Sequence, residues 1–209
     1  MAATVSIRAA EAADLDAIRA IYALEVLEGT ASFELEPPDR AELAARLAAV
    51  REARLPWLVA EVEGEVGAYA YAALYRSRPA YRHTAENSVY VARSARGRGL
   101  GRLLLDRLVV ECGAAGYREM VAIIGDSANL ASIRLHEASG FRHVGTLTAV
   151  GLKFGRWLDT VLMQRALPAA PAMDRRDAAP SLASAGGAGQ HDAGAARDRD
   201  GGALDGREA

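Results

Sequence analysis

The stretch VYVARSARGRGLGRLLLDRL, residues 89–108, constrains this chain more than any other. A β-branched and aromatic run gives way to three glycines interleaved with arginines, and then at once to a leucine-rich segment of helical period. A strand that enters a helix through such a turn leaves the first N–H groups of the helix without partners. The positive end of the helix dipole lies beside them, and together they make an anion site. Glycine lets the backbone approach the anion, and Arg96, Arg98 and Arg102 add charge, so a phosphate or pyrophosphate is the expected guest. A plain helix-entry turn with solvated arginines is the alternative for the same pattern.

The periods on either side set the fold class. Leu15, Ile18, Ile21 and Tyr22 keep helical spacing after the capping candidate Asp14, and Leu43, Leu47 and Val50 do so after Pro37-Pro38-Asp39. WLVAEVEGEVGAYAYAALY predicts two strands joined by a tight turn at Glu63-Gly64, with alanines on one face and Tyr69, Tyr71 and Tyr75 on the other. ENSVYVA is the next strand. A helix carrying leucines 100, 103, 104 and 108 follows, with Gly116 as its stop. MVAIIG then reads as a strand, LASIRLHEAS as a short helix closed by Gly140, and the region around KFGRW as two final strands. The order βααβββαβαββ predicts an α/β (α+β) domain: a mixed, mostly antiparallel central sheet with helices on both faces.

Composition bounds the domain and its partners. Of 209 residues 51% are hydrophobic, enough for one globular domain, but beyond Leu167 large apolar side chains almost vanish. Residues 1–167 are therefore expected to fold, and 168–209 to form a disordered Ala/Gly/Asp/Arg-rich tail that cannot bury enough surface to offset its ordering entropy. With 25 basic against 27 acidic residues, nucleic acid is not an expected partner. The single cysteine, Cys112, excludes an intrachain disulfide and a cysteine-built metal site, and no metal is expected. The N-terminus lacks the basic start and apolar core of a signal peptide, and no stretch approaches the about 20 apolar residues of a spanning helix. A soluble, cytoplasmic protein without a membrane partner is expected.

Spacing then separates the glycine-loop chemistries. A nucleoside-triphosphate loop needs four residues between glycines and then Gly-Lys-Ser/Thr, which this chain lacks. A dinucleotide fingerprint starting at Gly97 requires its third glycine at the position of Arg102. Arg96, Gly99 and Gly101 instead give Arg-x-x-Gly-x-Gly, and further on NLASIRLHEASGF sets Asn129, Ser132, Leu135, Gly140 and Phe141 at fixed offsets, with His136 among them. These two motifs in order resemble the GCN5-related N-acetyltransferase (GNAT) superfamily, in which a tyrosine commonly stands where this chain has His136. With TASFE, ENSVYV, RLHEASGF and GLKFGRWLD, residues 4–167 resemble its phosphinothricin and methionine sulfoximine N-acetyltransferase branch, which uses histidine there.

The resemblance implies the GNAT fold, acetyl-CoA as co-substrate, and a small-molecule amine as acceptor. Main-chain groups of Val89, Tyr90 and Val91 would pair with the pantetheine amides. The amides of Gly97, Arg98, Gly99, Leu100, Gly101 and Arg102, with Arg96, would hold the pyrophosphate, and Asn129 would bond the pantetheine arm. Plain sheet core is the alternative for residues 89–91, and a helix N-cap for Asn129. Amine acylation needs a base, an oxyanion donor and an acid for the leaving sulfur. Glu86 would be the base, His136 would share that role or protonate the sulfur, and a strand N–H near Tyr90 or Val91 would hold the oxyanion. A solvated strand end and a packed histidine bonded to a carbonyl are the alternatives for the two side chains.

For the acceptor, Arg76 and Arg78, with Arg82 nearby, suit a carboxylate or phosphinate that guanidinium grips with two hydrogen bonds. Phe33, Lys153 and Trp157 match positions that shape the branch's small-substrate pocket, and the resemblance also implies a homodimer. Two other readings stay open: a GNAT enzyme acting on a polyamine, an aminoglycoside or a protein N-terminus, and a non-catalytic acyl-CoA-binding module.

Overall fold

The computed structural model describes residues 4–168; residues 1–3 and the segment from 169 onward, which holds the expected tail, lie outside the described residues. Seven strands form one sheet: β1 (Val5–Ala9), β2 (Trp57–Val62), β3 (Glu65–Leu74), β4 (Thr84–Val91), β5 (Glu119–Gly125), β6 (Arg142–Lys153) and β7 (Arg156–Ala166). They lie in the order β1-β2-β3-β4-β5-β7-β6, and every neighbouring pair is antiparallel except β4 with β5. The helices are α1 (Leu15–Glu28), α2 (Arg40–Glu52), α3 (Leu100–Ala114) and α4 (Leu130–Ala138). Architecture and element order are those expected from the periodicity. None of these helices is long and apolar enough to cross a membrane.

Local chemistry explains the joints. Glu63 and Gly64 both have positive φ, as do Phe154 and Gly155, and each pair closes a two-residue hairpin of the twist-matching kind. Asp39 caps α2 by accepting the Glu42 N–H at 2.8 Å. Gly116 and Gly140 end α3 and α4 in left-handed conformation. Asp14 departs from expectation and makes no cap bond to α1. Its carboxylate instead takes the Glu11 N–H at 2.7 Å and both guanidinium ends of Arg8, because a short 3₁₀ turn, Ala12–Asp14, intervenes between β1 and α1.

The strand alternation divides the core in two. Ala68, Ala70 and Ala72 are fully buried where α3 crosses β3 and β4, and their small side chains let Leu100, Leu104 and Leu108 approach. The opposite face carries a run of rings, Trp57, Tyr71, Tyr69, Tyr90 and Tyr22, with neighbouring centroids 4.5–6.4 Å apart. Tyr22 brings α1 onto that face, so α1 and α2 cover one side and α3 and α4 the other. Tyr75 falls just beyond β3 and meets Tyr81 edge-on instead.

One irregularity positions everything that follows. The parallel ladder of β4 and β5 runs only from Thr84↔Glu119 to Asn87↔Ala122. Beyond it β4 continues against β3 as far as Val91↔Ala68, while β5 continues against β7 as far as Gly125↔Thr160. The two strands part, and a wedge opens in the middle of the sheet.

Candidate active site

The parting strands leave main-chain groups of β4 free on the wedge side. Ala92 N–H bonds Gly67 C=O at 2.9 Å and Thr84 C=O accepts Tyr75 N–H at 3.2 Å, which sets the even-numbered residues of β4 toward β3. By alternation the N–H and C=O of Val89 and Val91 face the wedge, whereas those of Tyr90 face β3. A cleft of about 640 Å³ occupies the wedge, and residues 88–91 and 122–125 line its two sides.

At one end the cleft meets the start of α3. Gly99 is the N-cap at φ +77°, so no side chain caps the helix, and the first intrahelical bond runs from Leu103 N–H to Gly99 C=O. The N–H groups of Leu100, Gly101 and Arg102 precede that bond and open on the cleft. Gly97, at φ +78°, makes the preceding turn. Gly101 has a different reason to be glycine: a β-carbon there would press on Leu135 at 3.3 Å, so α3 and α4 could not flank the wedge so closely. This is a cradle of main-chain donors of the kind that suits an anion. The arginines take a smaller part than their number suggests. Arg96 pairs with Glu25 of α1 at 2.5 Å and donates to Val91 C=O, Arg102 pairs with Asp106, and Arg98 is exposed outside the cleft lining.

Asn129, Leu135 and His136 reach the cleft from α4. Asn129 caps its own helix through Oδ1, which accepts the Ser132 N–H at 3.2 Å, and its Nδ2 remains for a ligand. His136 is 4% exposed, with Nδ1 2.8 Å from Ser132 C=O and Nε2 2.9 Å from Asn87 Oδ1. Burial pulls its pKa below the ordinary value, and the Ser132 carbonyl pulls it partly back.

Glu86 sits on the other face of the sheet from His136, because it is one residue from Asn87 on β4. Burial lifts its carboxyl above the ordinary range, against the charge of Arg76. Arg76 lies over the Tyr75 ring at 4.8 Å; Arg78 and Arg82 are exposed on the following turn, away from the cleft. Of the three loop arginines only Arg76 is near enough for its charge to act on Glu86; the two form no ion pair, and neither lines the cleft.

The segment between α1 and α2 closes this side. Thr30 donates to Asp126 at 2.9 Å, and Ser32 bonds Tyr22. The Phe33 ring lies over Gly125 and Gly151, where a side chain on Gly151 would overlap it. Lys153, expected at the substrate, is 3% exposed and donates to Ser32 C=O at 2.5 Å, so it straps this loop to β6. Burial lowers its pKa, offset in part by Glu25 and Glu34. Trp157 is 67% exposed. Sequence reasoning did not single out Asn87, Glu25 or Thr30, all of which line the cleft. Among the described residues no cluster of histidine, cysteine or carboxylate side chains is arranged to hold a metal.

The family profile described as an acetyltransferase (GNAT) domain matches residues 7–162. The chain belongs to this family. Phosphinothricin N-acetyltransferase of Alcaligenes faecalis is 56% identical to it over 156 residues, covering 75% of this chain and 79% of that protein. The L-methionine sulfoximine/L-methionine sulfone acetyltransferase of Salmonella typhimurium is 42% identical, covering 77% and 93%. A Sinorhizobium meliloti GNAT-superfamily phosphinothricin acetyltransferase, solved in complex with AcCoA, superposes with a TM-score of 0.75 at 46% identity, over 80% of this chain and 89% of that one. The seven-stranded sheet parted between β4 and β5 is thus a GNAT sheet.

In this GNAT domain the loop strap has a measurable consequence. Lys153→Met removes a charged hydrogen bond of about 1.5–3 kcal/mol, so the KM of the acceptor is expected to rise about tenfold or more. Calorimetric titration with acetyl-CoA should give a Kd within about twofold of wild type, because Lys153 does not touch the cofactor side.

Proposed function

We propose that this GNAT protein is an acetyl-CoA-dependent N-acetyltransferase that acetylates the α-amine of a small amino acid analogue of the phosphinothricin or methionine sulfoximine type. The observation that carries the reading is the cleft through the sheet, with the α3 donor cradle at one end and, where β4 and β5 still pair at the other, Glu86 on the face of β4 opposite Asn87. The glycines at 97, 99 and 101 fit a diphosphate approaching the backbone, and the wedge-facing edge of Val89 with the Val91 N–H fits a ligand that carries amides along an extended arm. Acetyl-CoA supplies an activated thioester carbonyl there.

The chain's own groups account for the rest of the chemistry. Glu86, its carboxyl pKa raised by burial, takes a proton from the acceptor's ammonium group directly or through water. The freed amine attacks the carbonyl carbon, and the Val91 N–H on the open edge is turned to receive the oxygen as it gains charge. A C–N bond forms and the C–S bond breaks; the electron pair leaves on sulfur as thiolate, the nitrogen gives up its second proton through Glu86 to solvent, and the thiolate recovers a proton from solvent. Arg76 beside Glu86 suits an acceptor carboxylate and repels polyamines and aminoglycosides. A purely cofactor-sensing module would have no use for a carboxylate held at raised pKa, which favours turnover.

The reading includes a second copy of the chain. β6 is an edge strand of 12 residues, and Val144, Leu147, Val150 and Leu152 on it are about half exposed beside Trp157. An open apolar edge of that length invites pairing, and an identical chain supplies a self-complementary cover. The cytoplasm, where acetyl-CoA is at hand and the buried Cys112 thiol needs no partner, suits such an enzyme.

Thiol release on mixing the protein with acetyl-CoA and a panel of phosphinothricin, methionine sulfoximine, free amino acids and polyamines tests the substrate class. The two analogues are expected to give the highest kcat/KM, and preference for a polyamine would overturn the assignment. Glu86→Gln is expected to lower kcat by about 10²- to 10⁴-fold and to abolish the acid limb of the rate profile. Glu86 has a folded pKa above its unfolded one, so its contribution to stability is full below the unfolded pKa and is lost as pH rises through the folded value. The same variant should therefore match or exceed wild type in Tm at neutral pH, and the difference should close in acid. Sedimentation at micromolar concentration should give a dimer for wild type and a monomer for Val150→Asp with Leu152→Asp; a monomeric wild type would refute the pairing.

A further inference from the structure

We propose that Asn87 is a positioning residue for acyl transfer: its amide, locked between the Val121 carbonyl and the His136 ring at the closed end of the cleft, makes the ring present Nε2 as a hydrogen donor and excludes it as the base. The proposal rests on the acetyltransferase reading above and divides the labour within it.

Asn87 is the last residue of β4 to pair with β5, and it is 5% exposed. Its Nδ2 donates to Val121 C=O at 3.2 Å. A carbonyl only accepts, so reversing the amide would set two buried oxygens against each other and leave both unsatisfied. Oδ1 is thereby committed to the side of His136, 2.9 Å from Nε2. An amide oxygen also only accepts, so Nε2 carries a hydrogen. The second ring nitrogen also faces an acceptor, so a neutral ring has one hydrogen for two of them, and the bond to Asn87 is made at the expense of one to Ser132. Nδ1 lies against the Ser132 carbonyl at 2.8 Å, inside its own helix, and the Ser132 hydroxyl is 3.5 Å away. The ring is further held edge-on to Phe141, with centroids 5.0 Å apart.

A general base needs a bare nitrogen turned toward the proton it removes, and His136 turns none toward the cleft. Glu86, on the acceptor face one residue before Asn87, has the matching property. The Nε2–H can be shared between Asn87 Oδ1 and a sulfur atom arriving in the cleft, and so favours the thiolate as the C–S bond breaks. Of the two protons the nitrogen loses, one before attack and one as the amide forms, each goes to Glu86 and on to solvent, and the thiolate takes one back from solvent. Asn87 touches no reacting atom in this account; it acts by fixing the ring.

Nitrogen-15 spectra of histidine-labelled protein test the assignment, with the His136 signals identified by their loss in His136→Phe. Wild type is expected to carry its hydrogen on Nε2 when the ring is neutral. In Asn87→Leu the hydrogen should move to Nδ1, facing Ser132 C=O, and kcat should fall about tenfold or more with the acetyl-CoA Kd changed less than about threefold. Asn87→Asp keeps an oxygen acceptor for Nε2–H and should recover kcat to within about fivefold of wild type. A wild-type ring with bare Nε2 overturns the proposal, and that measurement needs no variant to fold. Loss of turnover in Asn87→Leu with the hydrogen still on Nε2 overturns it too, by reducing Asn87 to a staple between strands. If wild type released no thiol with any amine, the transferase reading would fail by itself, whereas the hydrogen's position would still be read.

Discussion

Four paired residues, and then none, between β4 and β5 are the constraint on which the site depends. In an unbroken sheet the N–H and C=O groups of Val89 and Val91 would be spent on a neighbouring strand. Here β3 holds β4 and β7 holds β5, so each strand stays straight and supported while the gap between them opens. The wedge therefore exposes an edge in the interior of a sheet, a template for any ligand that can imitate a strand. Its flanks follow from residue size. Alanines 68, 70 and 72 let α3 lie close over β3, Gly101 lets α3 meet α4, and the N-terminus of α3 consequently points into the wedge.

The anion end works by geometry more than by net charge. Arg96 and Arg102 are engaged with Glu25 and Asp106, and exposed pairs of that kind contribute little. What is left is a set of main-chain donors that cost nothing to reorganise, oriented by three glycines, two of which adopt backbone angles that other residues rarely take. The Arg96–Glu25 pair has a mechanical value instead. It joins the turn to α1, four residues before the loop that closes the acceptor side.

Much of this was legible in the chain. Element order, both two-residue hairpin turns, the glycine stops of α3 and α4 and the cradle all have local signatures, because each depends on residues within a few positions of one another. Asp14 misled because an acidic residue before an apolar run suggests a cap, and nothing local reveals the 3₁₀ turn that diverts it to Arg8 and Glu11. Lys153 reads, by resemblance, as a residue of the substrate pocket; its burial depends on Ser32, 121 residues away. Asn87 sits between Glu86 and Ser88 and reads as one more polar residue on a strand. Only the knowledge that α4 covers that face, with His136 on its inner side, turns Asn87 into part of the site.

The face that carries Glu86 adds a mechanical consequence of the same wedge. Its loop issues from α1, which packs on β3 and β4, yet it is fastened to the other half of the sheet by Thr30 on Asp126, Ser32 on Lys153 and Phe33 on Gly125 and Gly151. Glu86 belongs to the first half and the loop's anchors to the second. Their separation is thus set by how far β4 and β5 have diverged, and at the point of divergence the main-chain ladder has just ended. The bond from Asn87 to Val121 C=O crosses that point as a side-chain rung, and His136 ties the same rung to α4. A wedge that is open at its mouth needs its closed end held firmly, or the distance between Glu86 and that loop would drift with every fluctuation of the strands. A buried, fully committed amide supplies that hold where a hydrophobic contact, indifferent to direction, would not.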